Sequence, residues 1–370
     1  MKNIERNRIG LGIIGAGRVG LIRGEIAARF PQVDWIGIAE INPERAALVA
    51  EKVGADFVTD DYQKLLARPE LTAVIISTDE HLHVEPILAA VERGLAMMIE
   101  KPLATDLGDS ARVLKAIEAR GVDAVVGYTQ RFRQRWLVAK EKVSTGELGQ
   151  VTMATSRGFM NKLVALDNYK RTPDPKKISP MVISGTHAVD VVMWIMEGRT
   201  PVEVYARSVD KALGPACGGI DGTAGMITMD DDSIYHLSIS WALPVAWPGA
   251  VYSLEVGIIG TEGVLTIDDT HRDIVLAVDH PQSEGYAPDK TRLVDFIGSY
   301  PPGHIALGEL RGPMREETMS WLLRLSTGLP THHATAAEAH HRLMLTKALD
   351  LSAKRRAPVQ VPTFASEELE

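Results

Sequence analysis

A glycine-rich segment near the start of the chain constrains the fold more than any other feature. The apolar run Ile9–Ile14 leads into Gly-Ala-Gly-Arg-Val-Gly at residues 15–20, and Glu40 ends the next apolar run, 20 residues after Gly20. A strand, a G-x-G-x-x-G turn, a helix and an acidic residue at this distance are together typical of a dinucleotide-binding βαβ unit. We therefore predict a dinucleotide site at this turn.

Each position of the turn has a separate physical task. Gly15 permits the tight turn, Gly17 lets a pyrophosphate approach the backbone, and Gly20 lets the helix pack closely on the strand. The amides at the helix N-terminus, which include those of Arg18 and Val19, carry partial positive charge toward the phosphates. The simpler alternative is a structural glycine turn in a similar fold that binds nothing.

Glu40 predicts which dinucleotide is bound. Its carboxylate can accept hydrogen bonds from both hydroxyls of an adenosine ribose. A 2′-phosphate at the same place would meet a like charge and be repelled. The predicted cofactor is therefore NAD, with NADP less favoured.

The patterning of the chain changes after about Tyr128. Before this point, short apolar runs alternate with helical patterns, which is typical of a parallel, doubly wound sheet. After it, polar and apolar residues alternate, for example from Tyr235 to Trp241, as in an antiparallel sheet with two unlike faces. At 370 residues the chain is long enough for about two domains. We predict an NAD-binding Rossmann domain at residues 1–128 and a substrate-binding and oligomerisation α+β domain at residues 129–370.

The composition excludes several classes of partner. The chain has 40 basic and 48 acidic residues, and this net charge of -8 argues against a nucleic-acid binder, which needs a basic face. No apolar run is long enough to cross a bilayer, and the N-terminus has no apolar signal-peptide core. Cys217 is the only cysteine, so no internal disulfide can form. We expect a cytoplasmic protein that acts on a small molecule.

A second motif, Glu100-Lys101-Pro102, directly follows the apolar run Ala96–Ile99. Open α/β sheets bind ligands at the carboxyl ends of their strands, so this motif lies at the predicted ligand edge. Pro102 disfavours a helical conformation at Lys101, and the chain there is expected to be extended or sharply turned. A lysine fixed at that edge can act on a substrate hydroxyl, although most lysines simply lie on a solvated surface.

Seven blocks of sequence, in this order along the chain, resemble the Gfo/Idh/MocA family, which contains glucose-fructose oxidoreductase and inositol dehydrogenase-like enzymes. The blocks are Gly15–Gly20, Glu40, Ser77-Thr78 with His83, Glu100-Lys101-Pro102, Gly127-Tyr128 with Arg131-Phe132, Gly149 with Val151, and Gly185-Thr186-His187 with Asp190. The resemblance implies a Rossmann domain followed by a domain with a large open, mainly antiparallel sheet. It also implies nicotinamide-dependent oxidation or reduction of sugars and cyclitols, in homo-oligomers (dimers or tetramers) formed through those sheets.

The resemblance also implies roles for individual positions. Lys101 and His187 match the family's catalytic lysine and histidine, and the peptide between that lysine and the proline is often cis. The residues expected at the cofactor, beyond the glycine turn and Glu40, are Ser77, Thr78, His83, Glu100, Lys101 and Gln130. The residues expected at the substrate are Lys101, Thr129, Gln130, His187 and Asp190, to which we add Asn161 from the long connection before His187.

One position departs from the family in a way that concerns the chemistry. Inositol dehydrogenase-like members carry an aspartate four residues before the histidine, where this chain has Ile183. The change removes one member of a Lys-Asp-His set but keeps the lysine and the histidine. Because no group of His, Cys or carboxylate residues has the spacing of a known metal site, no metal is expected.

Oxidation of a secondary alcohol needs a base, because the hydroxyl proton must leave when the hydride leaves. His187 opens the helix-like run Ala188–Met196, whose positive end would keep its imidazole neutral and able to accept that proton. Lys101 would then hold the alcohol oxygen and stabilise alkoxide character. Alternatively, Lys101 is the base, if desolvation favours its neutral form.

We predict an NAD-dependent dehydrogenase that acts on a secondary alcohol of a sugar, cyclitol or glycoside. The first alternative is a lyase or glycoside hydrolase that uses NAD transiently: it would oxidise a ring carbon, eliminate the glycosidic group and reduce the product again. The second alternative is a non-catalytic regulator that keeps the dinucleotide fold as a sensor, although a sensor needs neither Lys101 nor His187. Net formation of NADH separates the dehydrogenase from the lyase.

Overall fold

The computed structural model describes residues 7–171, 178–245, 247, 253–268, 274–283, 291–297 and 303–361. The chain divides into two compact units, one made of residues 1–132 and 313–341 and the other of residues 133–312 and 342–370. The boundary predicted after residue 128 is close to the end of the first segment. The return of residues 313–341 to the first unit differs from the prediction, which assigned them to the second domain.

The regular elements are as follows. The strands are β1 (Ile9–Ile14), β2 (Val33–Ala39), β3 (Phe57–Thr59), β4 (Ala73–Ile76), β5 (Ala96–Ile99), β6 (Ala124–Val126), β7 (Val151–Asn161), β8 (Pro201–Val209), β9 (Gly222–Met229), β10 (Ile234–Leu243), β11 (Ser253–Gly260), β12 (Val264–Asp268), β13 (Ile274–Ser283), β14 (Thr291–Ile297), β15 (His304–Ala306), β16 (Glu309–Arg311), β17 (Ala334–Thr335) and β18 (Val359–Gln360). The α-helices are α1 (Arg18–Ala27), α2 (Pro43–Val53), α3 (Tyr62–Leu66), α4 (Val84–Glu92), α5 (Leu107–Arg120), α6 (Gln134–Ser144), α7 (Lys162–Arg171), α8 (Thr186–Ile195), α9 (Gly214–Cys217), α10 (Pro313–Thr327) and α11 (Ala336–Arg355).

The first unit contains one seven-stranded sheet in the order β17-β6-β5-β4-β1-β2-β3. Strands β1 to β6 are parallel, and only the pairing of β17 with β6 is antiparallel. Every residue of β1 and of β4 is buried, because helices cover both faces of such a sheet. The predicted doubly wound parallel sheet is confirmed.

Local signals fix the helix ends of this unit. The Asn42 side chain accepts a hydrogen bond from the Arg45 amide, Pro43 occupies the first turn of α2, and Gly54 ends the helix in the left-handed conformation. These three residues act as the sequence predicts, because an N-cap oxygen, a proline and a C-terminal glycine each satisfy or avoid the unpaired groups of a helix end.

The segment 313–341 belongs to the first unit because its apolar side chains complete that unit's core. Trp321 and Leu322 of α10 are fully buried and pack in one cluster with Leu11 and Phe30. Strand β17 extends the sheet, with Ala334 opposite Val126 of β6. Neither contact leaves a pattern in the sequence, because the contacting residues lie far apart along the chain.

The second unit is built on a seven-stranded sheet in the order β12-β11-β7-β10-β9-β8-β18. Its neighbouring strands are antiparallel except for the parallel pair β7 and β10. In β10, Tyr235, Leu237 and Ile239 are buried while His236 is exposed, so the two faces are unlike, as the alternation predicts. Helix α11 lies on the buried face, where the Ser352 hydroxyl accepts a hydrogen bond from the Ala206 amide. Among the described residues, no helix is long and apolar enough to span a bilayer.

Candidate active site

The predicted cofactor residues of the first unit follow the carboxyl ends of β1, β2, β4, β5 and β6, which lie at one edge of the parallel sheet. The strand order reverses between β1 and β4, and ligands of open α/β sheets bind at such a reversal. At this point the Ser77 hydroxyl after β4 donates to the Gly15 carbonyl after β1, at 2.8 Å. The structure thus brings the glycine turn and the Ser77-Thr78 segment together.

The three glycines of the turn have different surroundings. Gly15 has a φ of +85°, and a Cβ there would lie 2.7 Å from the Thr78 amide nitrogen. A Cβ on Gly20 would lie 2.3 Å from the Gly15 carbonyl oxygen, whereas a Cβ on Gly17 would meet nothing within 4 Å. The outer glycines are therefore needed for close packing, and the middle glycine faces open space. This is the arrangement that a pyrophosphate needs for access to the backbone.

Helix α1 begins directly after this open position. Its N-cap residue is Gly17, and no side chain caps the first turn, which contains the amides of Arg18 and Val19. An N-terminus of this kind favours anions, because its amides point outward with partial positive charge. The turn therefore fits the phosphates of a dinucleotide.

Glu40 is buried at the end of β2, with 6% of its surface exposed. Its Oε2 accepts a hydrogen bond from the Ala16 amide and its Oε1 accepts one from the Asn42 amide, each at 2.9 Å. The Arg45 guanidinium lies 3.6 Å from Oε2. Each carboxylate oxygen keeps a second acceptor site, so Glu40 both holds the glycine turn and remains able to bind ribose hydroxyls. The residues present fit NAD.

His83 connects two loops at the same edge. It is 1% exposed, and its Nδ1 lies 2.8 Å from the Pro102 carbonyl while its Nε2 lies 3.2 Å from the Thr78 carbonyl. The peptide between Lys101 and Pro102 is cis, and Lys101 is half-buried. The imidazole contacts the backbone of both loops, and the predicted contact of His83 with the cofactor itself stays a prediction.

Sequence reasoning missed Arg23, which contacts Glu100 directly and is linked to Thr129 through Glu317. Its Nε donates to Glu100 at 2.5 Å and its Nη2 donates to Glu317 at 2.7 Å. The same Glu317 oxygen accepts a hydrogen bond from the Thr129 hydroxyl at 2.8 Å, and the next residue, Gln130, is buried. A signal for Arg23 was available, since it is a charge among the apolar residues of α1. No local signal indicated its partner on α10.

His187 lies in the second unit, as the second residue of α8, and it is half-buried with its Nδ1 atom enclosed. Helical backbone begins earlier than predicted: a π-helix, Met181–Gly185, runs directly into α8 from Pro180. The prediction that a helix N-terminus keeps the His187 imidazole neutral stays a prediction: His187 is the second residue of α8, but helical backbone already begins at Pro180. Ser179-Pro180, an N-cap residue followed by proline, was the sequence signal for this start.

Two contacts hold the helical run that carries His187. The Ser179 hydroxyl accepts a hydrogen bond from the Val182 amide and donates to Asp350 of α11 at 2.5 Å. The indole nitrogen of Trp241 donates to the Ser184 hydroxyl at 2.8 Å. Between them lies Ile183, which is buried. These contacts fix the turn before His187 from two different parts of the unit.

The other predicted substrate residues of this unit have structural contacts. Asp190 is fully buried, and its Oδ1 lies 3.4 Å from the Arg342 Nε of α11. The Asn161 side-chain nitrogen donates hydrogen bonds to the carbonyls of Pro244 and Val245, and its Oδ1 accepts a hydrogen bond from the Leu163 amide. The Asn161 amide hydrogens are thus used by the backbone, and its contact with substrate, like that of Asp190, stays a prediction. Among the described residues, no cluster of three metal-ligating side chains is found.

Comparison with known families decides the assignment. Residues 9–128 match the model of an oxidoreductase family with an NAD-binding Rossmann fold, and residues 136–266 match the C-terminal domain of the same family. The chain belongs to the GFO/IDH/MocA family. With the glycine turn and Glu40 in place, this family member is an NAD-binding oxidoreductase, as predicted from the resemblance.

Two relatives are 30% and 26% identical to this chain over the aligned residues. The inositol 2-dehydrogenase of Gluconacetobacter diazotrophicus is 30% identical over 213 residues, which span 55% of this chain and 60% of that protein. The 2,7-anhydro-N-acetylneuraminate hydratase of Mediterraneibacter gnavus is 26% identical over 310 residues, 81% of this chain and 79% of that protein. A crystal structure of scyllo-inositol dehydrogenase from Lactobacillus casei, with NAD(H) and scyllo-inositol bound, has a TM-score of 0.77 at 18% identity and covers 96% of this chain and 100% of that chain. The last comparison confirms the fold.

Proposed function

We propose that this family member is an NAD-dependent dehydrogenase of a secondary alcohol in a sugar, cyclitol or glycoside. The observation that carries the proposal is the position of Lys101. Lys101 follows β5 at the sheet edge where the glycine turn lies. The carbonyl of its neighbour Pro102 contacts the His83 ring, which also contacts the Thr78 carbonyl after β4. Similarity to an inositol 2-dehydrogenase supports a polyhydroxylated substrate.

The chain's own residues have distinct tasks in this proposal. When bound, NAD supplies the nicotinamide carbon that accepts the hydride. Glu40 orients the adenosine ribose, and the turn at Gly17 holds the phosphates. Lys101 holds the alcohol oxygen and stabilises its developing negative charge. His187 accepts the hydroxyl proton; in the alternative assignment, Lys101 is the base.

The test is a substrate panel of monosaccharides, inositols, anhydrosugars and glycosides, with NAD and NADP in parallel. We expect NADH absorbance with at least one polyol, and higher kcat/KM with NAD than with NADP. The Glu40→Ala variant should lose most of this preference, because the carboxylate both binds the ribose and repels a 2′-phosphate. A wild-type preference for NADP would contradict the role of Glu40.

The second candidate is a lyase or hydrolase that oxidises its substrate only transiently. Similarity to a hydratase of an anhydrosugar favours it. Such an enzyme needs bound NAD but forms no net NADH. Conversion of a glycoside or anhydrosugar without NADH accumulation, in a preparation loaded with NAD, would support this candidate and contradict the dehydrogenase.

We also propose that copies of this chain associate through the exposed face of the second sheet. Four large apolar side chains on that face are exposed: Met153, Tyr205, Met226 and Ile259. They form two cross-strand pairs, Tyr205 with Met226 and Met153 with Ile259. Sedimentation should show a dimer or tetramer that Met226→Glu weakens. A wild-type monomer at micromolar concentration would contradict this.

The cytoplasmic location stays a prediction.

A further inference from the structure

Arg23 is a fully buried charged side chain of the first unit, near the carboxyl ends of the parallel strands. Its side chain has no exposed surface, and its guanidinium donates to three side chains. These are Glu100 at 2.5 Å, Glu317 at 2.7 Å and the Thr318 hydroxyl at 2.8 Å. A planar guanidinium fixes the directions of its partners, because its donors form a rigid fork.

The cluster contains one positive charge and two carboxylates. Burial raises the pKa of Glu317, and Arg23 only partly opposes this effect. Glu317 is fully buried and its Oε1 has no hydrogen-bond partner among the described residues. His333, whose Nε2 contacts the Glu317 carbonyl, adds no charge, since burial lowers its pKa to about 3. Loss of Arg23 would therefore leave the two carboxylates facing each other without compensation.

The partners of Arg23 lead directly to the proposed site. Glu100 immediately precedes Lys101, and Glu317 accepts the hydrogen bond of the Thr129 hydroxyl. Arg23 itself lies on α1, which begins at the glycine turn. A Cβ on Gly127 would lie 3.0 Å from Nη2 of Arg23, so the guanidinium also packs tightly against the chain after β6. Arg23 thus contacts Glu100 directly and is linked to Thr129 through Glu317, and it lies on the helix that begins at the glycine turn.

We propose that Arg23, held by Glu317, is a positioning residue that sets the placement of the Glu100-Lys101 segment and of Thr129. The inference rests on the proposed function, because it assumes that Lys101 acts on the alcohol oxygen. Arg23 itself is enclosed and acts only through its partners. Its effect is expected on turnover more than on binding, since small displacements of a reacting group lower rates strongly.

The experiment compares Arg23→Lys and Arg23→Met with the matched control Arg324→Met. Arg324 also joins α10 to the sheet, through three hydrogen bonds to Asp123 at 2.9, 3.0 and 3.2 Å. Asp123 directly precedes β6, so this ion pair lies at the amino ends of the parallel strands, whereas Glu100 lies at their carboxyl ends. The control removes a link between the same helix and the same sheet, but far from Lys101.

Three quantities are measured for each variant: thermal unfolding, the NAD dissociation constant, and kcat and KM for the best alcohol of the panel. We expect Arg23→Lys to fold and to lower kcat by about 10- to 100-fold, with the NAD dissociation constant changed less than about threefold. Arg324→Met should lose stability and keep kcat within about twofold, as expected of a partly exposed ion pair. Should Arg23→Met fail to fold, Arg23→Lys carries the comparison.

A kcat of Arg23→Lys within threefold of wild type, or an equal fall in Arg324→Met, would overturn the proposal. Absence of any wild-type alcohol oxidation would instead contradict the proposed function. In that case, hydrogen exchange of the peptides around residues 97–103 and 127–132 tests whether Arg23 positions these segments. Faster exchange there in Arg23→Lys and not in Arg324→Met supports positioning, and equal exchange in the two variants overturns it.

Discussion

The two units place their predicted site residues by different means. In the first unit, backbone groups shape the glycine turn and the loops beside it: the glycines leave room, and the carbonyls of Thr78 and Pro102 contact His83. In the second unit, side chains from distant segments hold the helical run of His187, chiefly Asp350 and Trp241. A site made of local backbone is visible in a short motif, whereas a site made of long-range side-chain pairs is not.

The largest expected effect tests whether both units take part in the chemistry. We expect Lys101→Met and His187→Ala each to lower kcat by about 10²- to 10⁴-fold, because each removes a group that stabilises charge or moves a proton. NAD binding, measured by calorimetry, should remain. Lys64→Met, which changes an exposed lysine of α3, is the control and should keep full activity. Near-wild-type turnover in one variant would restrict the chemistry to the other unit.

The next effect tests the backbone-built half. Gly20→Ala should lower the free energy of unfolding by about 1 to 3 kcal/mol, because its Cβ would overlap the Gly15 carbonyl. Gly17→Ala should unfold like wild type, since its Cβ meets nothing within 4 Å, but it should weaken NAD binding. The two variants thus separate the role of Gly20 in packing from the role of Gly17 in giving the pyrophosphate access to the backbone. Unchanged NAD affinity in Gly17→Ala would contradict the assignment of that open space to the pyrophosphate.

The smallest effect tests the half built from side chains. Burial raises the pKa of Asp350 to about 6, from 3.8 in the unfolded chain. A raised carboxyl pKa means that the folded state binds more protons between these values, so the Asp350 contribution to stability falls as pH rises through this window. Between pH 5 and pH 7 the loss is about 1 kcal/mol.

Asp350→Asn should remove this dependence. The difference in unfolding free energy between wild type and Asp350→Asn, measured by urea denaturation, should therefore shift in favour of the variant by about 1 kcal/mol from pH 5 to pH 7. Ser179→Ala is the companion variant, because it removes the hydroxyl bonded to Asp350 while leaving the carboxyl in place. A constant difference across this pH range would contradict the raised pKa.

The predictable part of the molecule follows from the same contrast. The parallel sheet, the cap of α2 and the packing of the glycine turn were all predicted from neighbouring residues. The helical backbone before α8, from Pro180 to Gly185, was not predicted, although Ser179-Pro180 signalled it. Glu317, a partner of Arg23, lies on α10 and Arg342, the partner of Asp190, lies on α11. Pairing between residues so far apart along the chain leaves no period or spacing in a single sequence. Asn161 shows a different difficulty, because the sequence does not reveal that its amide group is hydrogen-bonded to the backbone.

The return of residues 313–341 has a consequence for how the cofactor-binding half forms. Its hydrophobic interior is finished by Trp321 and Leu322, and its sheet gains an edge strand at Ala334. A polypeptide that stops at residue 132 would therefore leave Leu11 and Phe30 without these neighbours. The unit encoded first is completed by residues that are synthesised much later, so we expect it to finish folding only after residue 341 has been added.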